Sequence, residues 1–277
     1  MSAQTDILVA GHYCHDLLRR AGAEVQTLGG SAAYVSSVLQ QVGADFRVSA
    51  IVGEDFRYAG QVAQPPLVRG PHTTAFVAEL QGEQRTLFLT AVAPPLSPGD
   101  LEVDARVGLA CAVAGELPAP TLLRLTERCE RVLADAQGLL RVRGEAGRVA
   151  LRRLEDTPYA ALLSRLHVLK ASEEEARHLD LAEARRRTCV VITRGARGCT
   201  VLGAQATHEV PALPVREVDP TGAGDCFLAG FALGLLRGLS PVRCAELARW
   251  FGAQAVTQVG VPRLEPAQLS ALLRPAP

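Results

Sequence analysis

The segment Asp219-Pro220-Thr221-Gly222-Ala223-Gly224-Asp225 decides the fold class, because it places a helix breaker, two glycines and an acid directly before an apolar helical pattern. Pro220 blocks helix entry, and Gly222 and Gly224 allow the backbone to turn sharply. The residues that follow form one apolar face at helical spacing, which Gly238 closes: Phe227, Leu228, Phe231, Ala232, Leu235 and Leu236. The pattern predicts a helix whose N-terminus is lined by glycine.

A helix N-terminus of this kind is suited to bind an anion. The backbone N–H groups of Gly222, Ala223, Gly224 and Asp225 belong to the first turn, where such groups lack helical partners and the helix dipole favours negative charge. The carboxylate of Asp225 would repel an anion, so it indicates a second task, which is to orient a hydroxyl and accept its proton. In the alternative interpretation Asp225 only caps the helix, since Asp is a preferred capping residue.

Strand and helix patterns alternate through the rest of the chain. The run Ile7-Leu8-Val9-Ala10-Gly11 predicts a buried strand, and Ser31 is a candidate N-cap for a helix with one buried face. Further strands are predicted at residues 48–52, 109–113, 131–136, 167–171 and 189–193. This alternation predicts an α/β fold with a central, mainly parallel sheet flanked by helices.

One region departs from the alternation. Residues 73–92 contain two strand patterns on either side of the polar turn Gln81-Gly82-Glu83-Gln84, which predicts a β-hairpin apart from the main sheet. The strand at 7–11 delivers residues 12–16 to its carboxyl end, the edge at which open α/β sheets bind ligands. The sequence therefore predicts a ligand site near residues 12–16.

The composition excludes several classes of function. Twenty-nine basic residues balance twenty-nine acidic ones, which leaves no net field to hold a nucleic acid or an anionic membrane. No signal peptide pattern and no apolar run long enough to span a bilayer is found, so a cytoplasmic protein is expected. Seven cysteines without a Cys-x-x-Cys pair are typical of a reduced compartment.

The segment at 219–225 is followed, after Cys226, by Phe-Leu-Ala-Gly-Phe. Together these residues resemble the C-terminal signature of the ribokinase-like (PfkB) sugar and nucleoside kinases, and the chain matches that family in order over nearly its whole length. The resemblance implies a single ribokinase-like domain over residues 1–277, with a small β lid contributed mainly by about residues 12–28 and 73–92. It also implies that Gly222, Ala223 and Gly224 form an anion hole and that Asp225 is the general base.

The resemblance further implies an ATP site in the C-terminal half of the chain. Thr193-Arg194-Gly195-Ala196-Arg197-Gly198 is similar to the family's Thr-x-Gly-x-x-Gly nucleotide loop, and Ser172-Glu173-Glu174-Glu175 to its Asn-x-x-Glu element, with serine in place of asparagine. Glu175 matches the glutamate that helps to hold Mg²⁺ through water. A monovalent cation is implied near Asp219. The implied nucleotide-binding residues are Lys170, Ser172, Thr193, Gly195 and Gly198.

The acceptor is implied by features nearer the N-terminus. Gly29-Gly30 corresponds to the family's di-glycine, but Ser31-Ala32-Ala33 replaces the asparagine that commonly follows. Segments 11–16, 52–58 and 135–142 look like the myo-inositol 3-kinase branch, which implies a small polyol acceptor, myo-inositol first. Such a ring needs many polar partners, since a buried hydroxyl left unpaired costs about 1–3 kcal/mol. The implied acceptor-binding residues are Asp16, Gly29, Gly30, Ser31, Asp55, Arg57 and Gln137.

Other functions remain open at this stage. The acceptor could be another sugar or a nucleoside, or the chain could be a ligand-binding member of the family that has lost turnover. A protein-interaction scaffold is a third class, and a homodimer formed through the lid is expected by analogy with the family. A zinc site at His12, Cys14, His15 and Asp16 is disfavoured, because neighbouring side chains on a strand point to opposite faces.

Overall fold

The computed structural model of the protein describes residues 4–20, 22–81 and 84–272. Two residues of the predicted hairpin turn, Gly82 and Glu83, lie outside the described residues. The strands are β1 Thr5–Ala10, β2 Cys14–Arg20, β3 Ala23–Gly29, β4 Phe46–Ser49, β5 Ile51–Val52, β6 Leu67–Val68, β7 Ala75–Gln81, β8 Gln84–Ala91, β9 Ala105–Ala110, β10 Cys129–Asp135, β11 Arg141–Arg143, β12 Val149–Leu151, β13 Val168–Ser172, β14 Cys189–Thr193, β15 Cys199–Leu202 and β16 Thr207–Val210.

Helices account for most of the remaining regular structure. None of the described helices is long and apolar enough to cross a membrane. The α-helices are α1 Ser31–Gln41, α2 Ala119–Arg128, α3 Ala136–Leu140, α4 Glu173–Ala176, α5 Leu181–Arg187, α6 Ala223–Leu236, α7 Pro241–Ala255 and α8 Pro266–Leu272. Short 3₁₀ helices are Pro98–Asp100, Glu145–Gly147, Leu154–Asp156, Pro158–Arg165 and Gly195–Arg197.

The main sheet has eight strands in the order β16-β15-β14-β13-β10-β9-β1-β4. The pairs from β4 to β14 are parallel, and β15 and β16 continue the sheet in antiparallel fashion. The predicted mainly parallel sheet is confirmed. Because parallel strands end at the same edge, the carboxyl ends of β1, β9, β10, β13 and β14 lie side by side.

Hydrophobic cores cover both faces of this sheet. Along β1, Ile7 and Val9 pack into one core with α1, α6 and α7, while Leu8 and Ala10 pack into the other with α2 and α5. This alternation follows from the two-residue period of a strand. Strands buried on both faces read as continuous apolar runs, which is why the sequence located several of them.

A second, four-stranded sheet stands apart, in the order β3-β2-β7-β8. It joins the hairpin of β7 and β8 to a β2–β3 hairpin through parallel pairing of β2 with β7. The family resemblance implied a lid from about residues 12–28 and 73–92; β2, β7 and β8 lie inside these regions, and β3 extends one residue beyond the first. We refer to this sheet as the lid sheet.

Three local predictions are wrong. Ser31 is the first residue of α1, and Gly30 is the N-cap. The run 48–52 is divided at Ala50, whose carbonyl accepts the Leu67 N–H, so that β5 leaves the main sheet and pairs with β6. The strand predicted at 109–113 is Ala105–Ala110 instead, because the Val113 N–H donates to the buried Glu116 carboxylate and not to a strand.

Candidate active site

The turn at residues 219–225 lies beside the carboxyl edge of the main sheet and leads into α6. Its start is fixed by Asp219, whose Oδ1 accepts the Thr221 N–H at 3.0 Å and the Thr221 hydroxyl at 2.7 Å. Gly222 is the N-cap of α6 with φ of 78°, a left-handed conformation that favours glycine. A side chain at Gly222 would also overlap the ring of Tyr34. We refer to residues 219–225 as the anion turn.

Asp225 lies in the first turn of α6 and is held by two side chains from distant elements. The Ser31 hydroxyl donates to Asp225 Oδ1 at 2.5 Å, and the Gln137 amide donates to the same oxygen at 3.4 Å. Burial raises the pKa of Asp225 above its ordinary value and Asp135 raises it further, whereas Lys170 and the Ser31 hydrogen bond oppose the rise. Since both described bonds end on Oδ1, Oδ2 is the oxygen available to an acceptor hydroxyl.

A buried ion pair supports the anion turn from below. Lys170 Nζ lies 2.6 Å from Asp135 Oδ2, and both side chains are almost fully buried. The ammonium lies against Gly224, where an added Cβ would approach Nζ to 2.6 Å. Burial alone would lower the pKa of Lys170, but the carboxylates of Asp135, Glu175 and Asp225 raise it above its ordinary value. Lys170 is therefore a fixed positive charge next to the first N–H groups of α6.

An open cavity of about 360 Å³ lies between the anion turn and the lid sheet. Gly222 and Asp225 form its floor, and Phe76 and Leu87 reach it from the lid sheet. Four residues that the sequence predicted for acceptor binding line this cavity: Asp16, Gly30, Ser31 and Gln137. We refer to it as the acceptor cavity.

A second cavity of about 440 Å³ lies on the other side of the anion turn. Ala223 and Gly224 line it, and apolar residues from the loop after β16 and from α7 form much of its wall: Ala212, Leu213, Pro214, Val215, Gly252 and Ala253. Three residues predicted to bind nucleotide line it as well, namely Thr193, Gly195 and Gly198. We refer to it as the donor cavity. The two cavities thus meet at the N-terminus of α6.

Three predicted acceptor-binding residues lie elsewhere. Gly29 stands directly behind the Asp16 carboxylate, where any side chain would overlap it, so Gly29 shapes the cavity without lining it. Asp55 accepts the Thr73 N–H at 2.7 Å, and Arg57 is exposed and donates to Gln26.

The reason for the position of Asp55 and Arg57 is the alternation of side chains along β2. Asp16 points to the acceptor cavity, and the preceding residue, His15, points to the opposite side. Phe56 stacks on the His15 ring with centroids 5.7 Å apart, which places residues 55–57 on that opposite side. The structure therefore does not bring Asp55 and Arg57 to the acceptor cavity.

Three residues predicted for the nucleotide and the metal do not line the donor cavity: Lys170, Ser172 and Glu175. Lys170 lies beneath the anion turn, against Gly224. Ser172 is the N-cap of α4, where its hydroxyl accepts the Glu175 N–H at 3.2 Å while Glu175 Oε2 accepts the Ser172 N–H at 2.7 Å. This capping box explains why serine can stand at the asparagine position.

Residues that the sequence reasoning missed also line the acceptor cavity. Tyr34 lies there with its hydroxyl buried and without a hydrogen-bond partner among the described residues. The signal for Tyr34 was its position three residues after Ser31, on the same face of α1. Arg141 and Arg148 reach the cavity from β11 and the residue before β12. Arg141 belongs to segment 135–142, but the sequence pattern around it did not indicate where its side chain points.

Comparisons with known proteins agree with this geometry. A family model described as pfkB family carbohydrate kinase matches residues 70–267. An inositol 3-kinase of Oryza sativa subsp. japonica is 46% identical over 285 residues, which cover 96% of this chain and 72% of the relative. An inositol 3-kinase of Zea mays is 44% identical over 287 residues, which cover 96% of this chain and 76% of the relative.

A solved structure gives the same fold. A pyrophosphate-dependent kinase in the ribokinase family, complexed with a pyrophosphate analog and myo-inositol, superposes with a TM-score of 0.82 at 22% identity, covering 96% of this chain and 99% of that chain. The predicted ribokinase-like fold is therefore confirmed. On the family match and the two plant relatives, the chain belongs to the pfkB family of carbohydrate kinases, enzymes that transfer a phosphoryl group to an alcohol.

Proposed function

We propose that the protein is an ATP-dependent kinase that phosphorylates a hydroxyl of myo-inositol. The observation that carries this proposal is the meeting of two cavities at the N-terminus of α6. Gly222 and Asp225 face the acceptor cavity, whereas Ala223 and Gly224 face the donor cavity. A phosphoryl group that passes between the cavities must therefore pass the first N–H groups of the helix.

The choice of myo-inositol rests on the relatives and on the lining. The rice and maize proteins, 46% and 44% identical, are both inositol 3-kinases. The acceptor cavity offers a carboxylate at Asp16, a hydroxyl at Tyr34 and an amide at Gln137 around Asp225. Side chains of these types provide the donors and acceptors that a ring with a hydroxyl on each carbon requires.

The proposed reaction uses Asp225 as general base. The acceptor hydroxyl gives its proton to Asp225 Oδ2 while its oxygen forms a bond to the γ-phosphorus, and the bridging oxygen leaves with ADP and keeps the electron pair of the broken bond. Ser31 and Gln137 hold the carboxylate in place through Oδ1. The N–H groups at the start of α6 and the ammonium of Lys170 stabilise the moving negative charge.

Magnesium fits the carboxylates beside the anion turn. Mg²⁺ prefers oxygen ligands and keeps several of its waters. Glu174 lines the acceptor cavity, and the neighbouring Glu175 is buried with Oε2 engaged in the α4 cap. These two residues would hold a hydrated ion, and bound magnesium would offset phosphate charge. A monovalent cation near Asp219 stays a prediction.

The shape of the donor cavity favours a nucleotide over pyrophosphate. The related solved kinase is pyrophosphate-dependent, so the donor must be argued from this chain. Apolar residues such as Leu213, Val215 and Ala253 extend the cavity beyond the phosphate end at Gly224. A nucleoside can cover this apolar surface, whereas pyrophosphate cannot. ATP is therefore the proposed donor.

The direct test is to supply the purified protein with each donor and a panel of acceptors. We expect ADP release and a phosphorus NMR signal of an inositol monophosphate with ATP, Mg²⁺ and myo-inositol, and much slower turnover with pyrophosphate. Asp225→Asn should keep binding of both substrates while kcat falls by about 10²–10⁴-fold, the usual contribution of a positioned base. Near-normal turnover of this variant would exclude Asp225 as the base.

The remaining alternatives give different results in the same experiment. Faster turnover of another sugar or of a nucleoside would replace myo-inositol as the acceptor. Binding of a polyol without any product in a single turnover would favour a non-catalytic member of the family. Homodimer formation stays a prediction, which light scattering tests.

A further inference from the structure

A small hairpin closes one side of the acceptor cavity. Strands β11 and β12 pair with each other and carry Arg141 at the first position and Arg148 just before the second strand. A β-bridge joins Arg148 to Phe88 of the lid sheet. At the tip, Gly147 lies so close to the Leu89 carbonyl that an added Cβ would approach its oxygen to 3.0 Å. The hairpin thus connects the lid sheet to the end of α3.

Arg141 is the better placed of the two arginines that line the acceptor cavity. Its side chain is partly buried, and its only hydrogen bond among the described residues is a long one, from Nη1 to the Val113 carbonyl at 3.5 Å. No carboxylate of the described residues lies within ion-pair distance of Arg141, although Arg69, Arg106 and Arg128 each have one. Most of the five guanidinium donors of Arg141 are therefore free for a ligand.

The charge of Arg141 acts on the reaction centre. Arg141 and Asp225 line the same cavity, and the guanidinium opposes the rise that burial causes in the pKa of Asp225. Arg148 also lines the cavity but is exposed, whereas Arg141 is partly buried. A partly buried arginine that has no ion-pair partner among the described residues, in a cavity that already contains the base, matches an anion better than a neutral ring, because guanidinium binds phosphate oxygens with two parallel hydrogen bonds.

We propose that Arg141 is a catalytic residue that donates hydrogen bonds to oxygens of the phosphoryl group as it moves to the acceptor. This proposal rests on the proposed kinase function. The anion turn holds the phosphoryl group from the α6 side, and Arg141 holds it from the hairpin side. Arg141 keeps its protons throughout; the bond to ADP breaks, the bond to the acceptor oxygen forms, and the acceptor proton goes to Asp225.

The test separates chemistry from binding by the split between kcat and KM. We expect Arg141→Gln to lower kcat by about 10²–10³-fold, the loss seen when one transition-state donor is removed, with KM for ATP and for the polyol nearly unchanged. Arg141→Lys should recover only part of the rate, since lysine cannot form the two parallel bonds. Guanidinium ion added to Arg141→Ala should restore turnover in a saturable manner, which a merely structural arginine would not allow.

The matched control is Arg143→Gln. Arg143 lies two residues away on the same strand and does not line the acceptor cavity, so this variant should retain the wild-type kcat. Thermal melts of every variant confirm that the fold is retained. The rates are measured with whichever polyol the wild type converts fastest, so a wrong choice of myo-inositol leaves the test of Arg141 intact.

Three results would overturn the proposal. A higher KM for the polyol at unchanged kcat would make Arg141 an acceptor-binding residue. If the wild type prefers a polyol monophosphate and Arg141→Gln abolishes this preference, the arginine binds a phosphate that is already on the acceptor. A loss of kcat without rescue by guanidinium, accompanied by a lower melting temperature, would assign it to the stability of the hairpin.

Discussion

The carboxylate of Asp225 is under opposing influences that set its protonation. Burial and the nearby Asp135 raise its pKa, while Lys170, the hydrogen bond from Ser31 and Arg141 lower it. A base must be ionised to accept a proton, so activity falls as the pH drops through this raised pKa. The acid limb of the pH profile should therefore lie above the range of an ordinary aspartate.

The first prediction concerns Ser31. Its hydroxyl donates to the ionised form of Asp225, and loss of that bond in Ser31→Ala favours the protonated form and raises the pKa of Asp225 further. The acid limb of kcat/KM should move to higher pH, while the rate on the plateau changes less. The measurement is kcat/KM for the polyol at saturating ATP over the acid range.

Ser36→Ala is the control for this prediction. Ser36 lies on the same helix and is buried, but its hydroxyl donates to the Ala33 carbonyl at 3.3 Å and does not contact Asp225. This variant should keep the wild-type acid limb. An unchanged limb in Ser31→Ala would show that the Ser31–Asp225 bond does not act on the base.

At the scale of elements, the N-terminus of α6 is positioned by its packing against α1. Gly222 adopts a left-handed conformation and touches the ring of Tyr34 from α1. The ring leaves room for a hydrogen atom and no more. Both the direction of the first N–H groups and the position of Asp225 therefore depend on this contact.

The second prediction is that Gly222→Ala displaces the anion turn. The added methyl group overlaps Tyr34 and the left-handed conformation costs about 1–2 kcal/mol. A displacement of about 1 Å at a reaction centre can lower the rate by about 10²-fold, so we expect a loss of at least that size in kcat/KM. Steady-state kinetics with ATP and the polyol measure it.

Gly238→Ala provides a control at the other end of the same helix. Gly238 has φ of 71°, so alanine incurs the same backbone strain, but nothing lies within 4 Å of an added Cβ. Gly238→Ala should lose only the stability that the backbone strain costs and should keep its activity, whereas Gly222→Ala should lose more stability, because its methyl group also overlaps Tyr34, and should lose activity. Equal losses of activity would mean that helix stability, and not the shape of the anion turn, controls the rate.

At the scale of the whole molecule, three parts of the fold supply the residues of the site: the main sheet, α6 and the lid sheet. The main sheet supplies Asp135 and Lys170, α6 supplies Asp225, and the lid sheet supplies Asp16 and one wall of the acceptor cavity. None of the described residues of the lid sheet lines the donor cavity. Acceptor and donor should therefore stabilise different parts of the molecule.

Hydrogen exchange tests the third prediction. An ATP analogue that cannot be hydrolysed should protect the loop at 193–198 and the amides of α7 that border the donor cavity. Addition of the polyol should then protect β2, β3, β7 and β8. If the analogue alone protects the lid sheet fully, or if the polyol leaves it unchanged, the acceptor does not bind between the lid sheet and the anion turn.

The sequence alone determined the features that depend on neighbouring residues. The proline and glycines of the anion turn and the apolar spacing after Asp225 predicted α6, because turn geometry and helix periodicity are local properties. The strand at Cys189–Thr193 was located at its true bounds, since a strand buried on both faces is apolar along its length. The resemblance to the family added the roles that we propose for Asp225 and the glycines.

Only the tertiary structure decided which side chains meet. Ser31 and Asp225 are 194 positions apart in the chain and form one hydrogen bond. Asp55 and Arg57 looked equivalent to Asp16 in sequence, but the alternation of β2 places them on the other side of the lid sheet from the cavity. The sequence did not indicate where the Arg141 side chain lies; the packing of the β11–β12 hairpin against the lid sheet decides it. Such contacts follow from strand pairing and packing between distant segments, which no local pattern encodes.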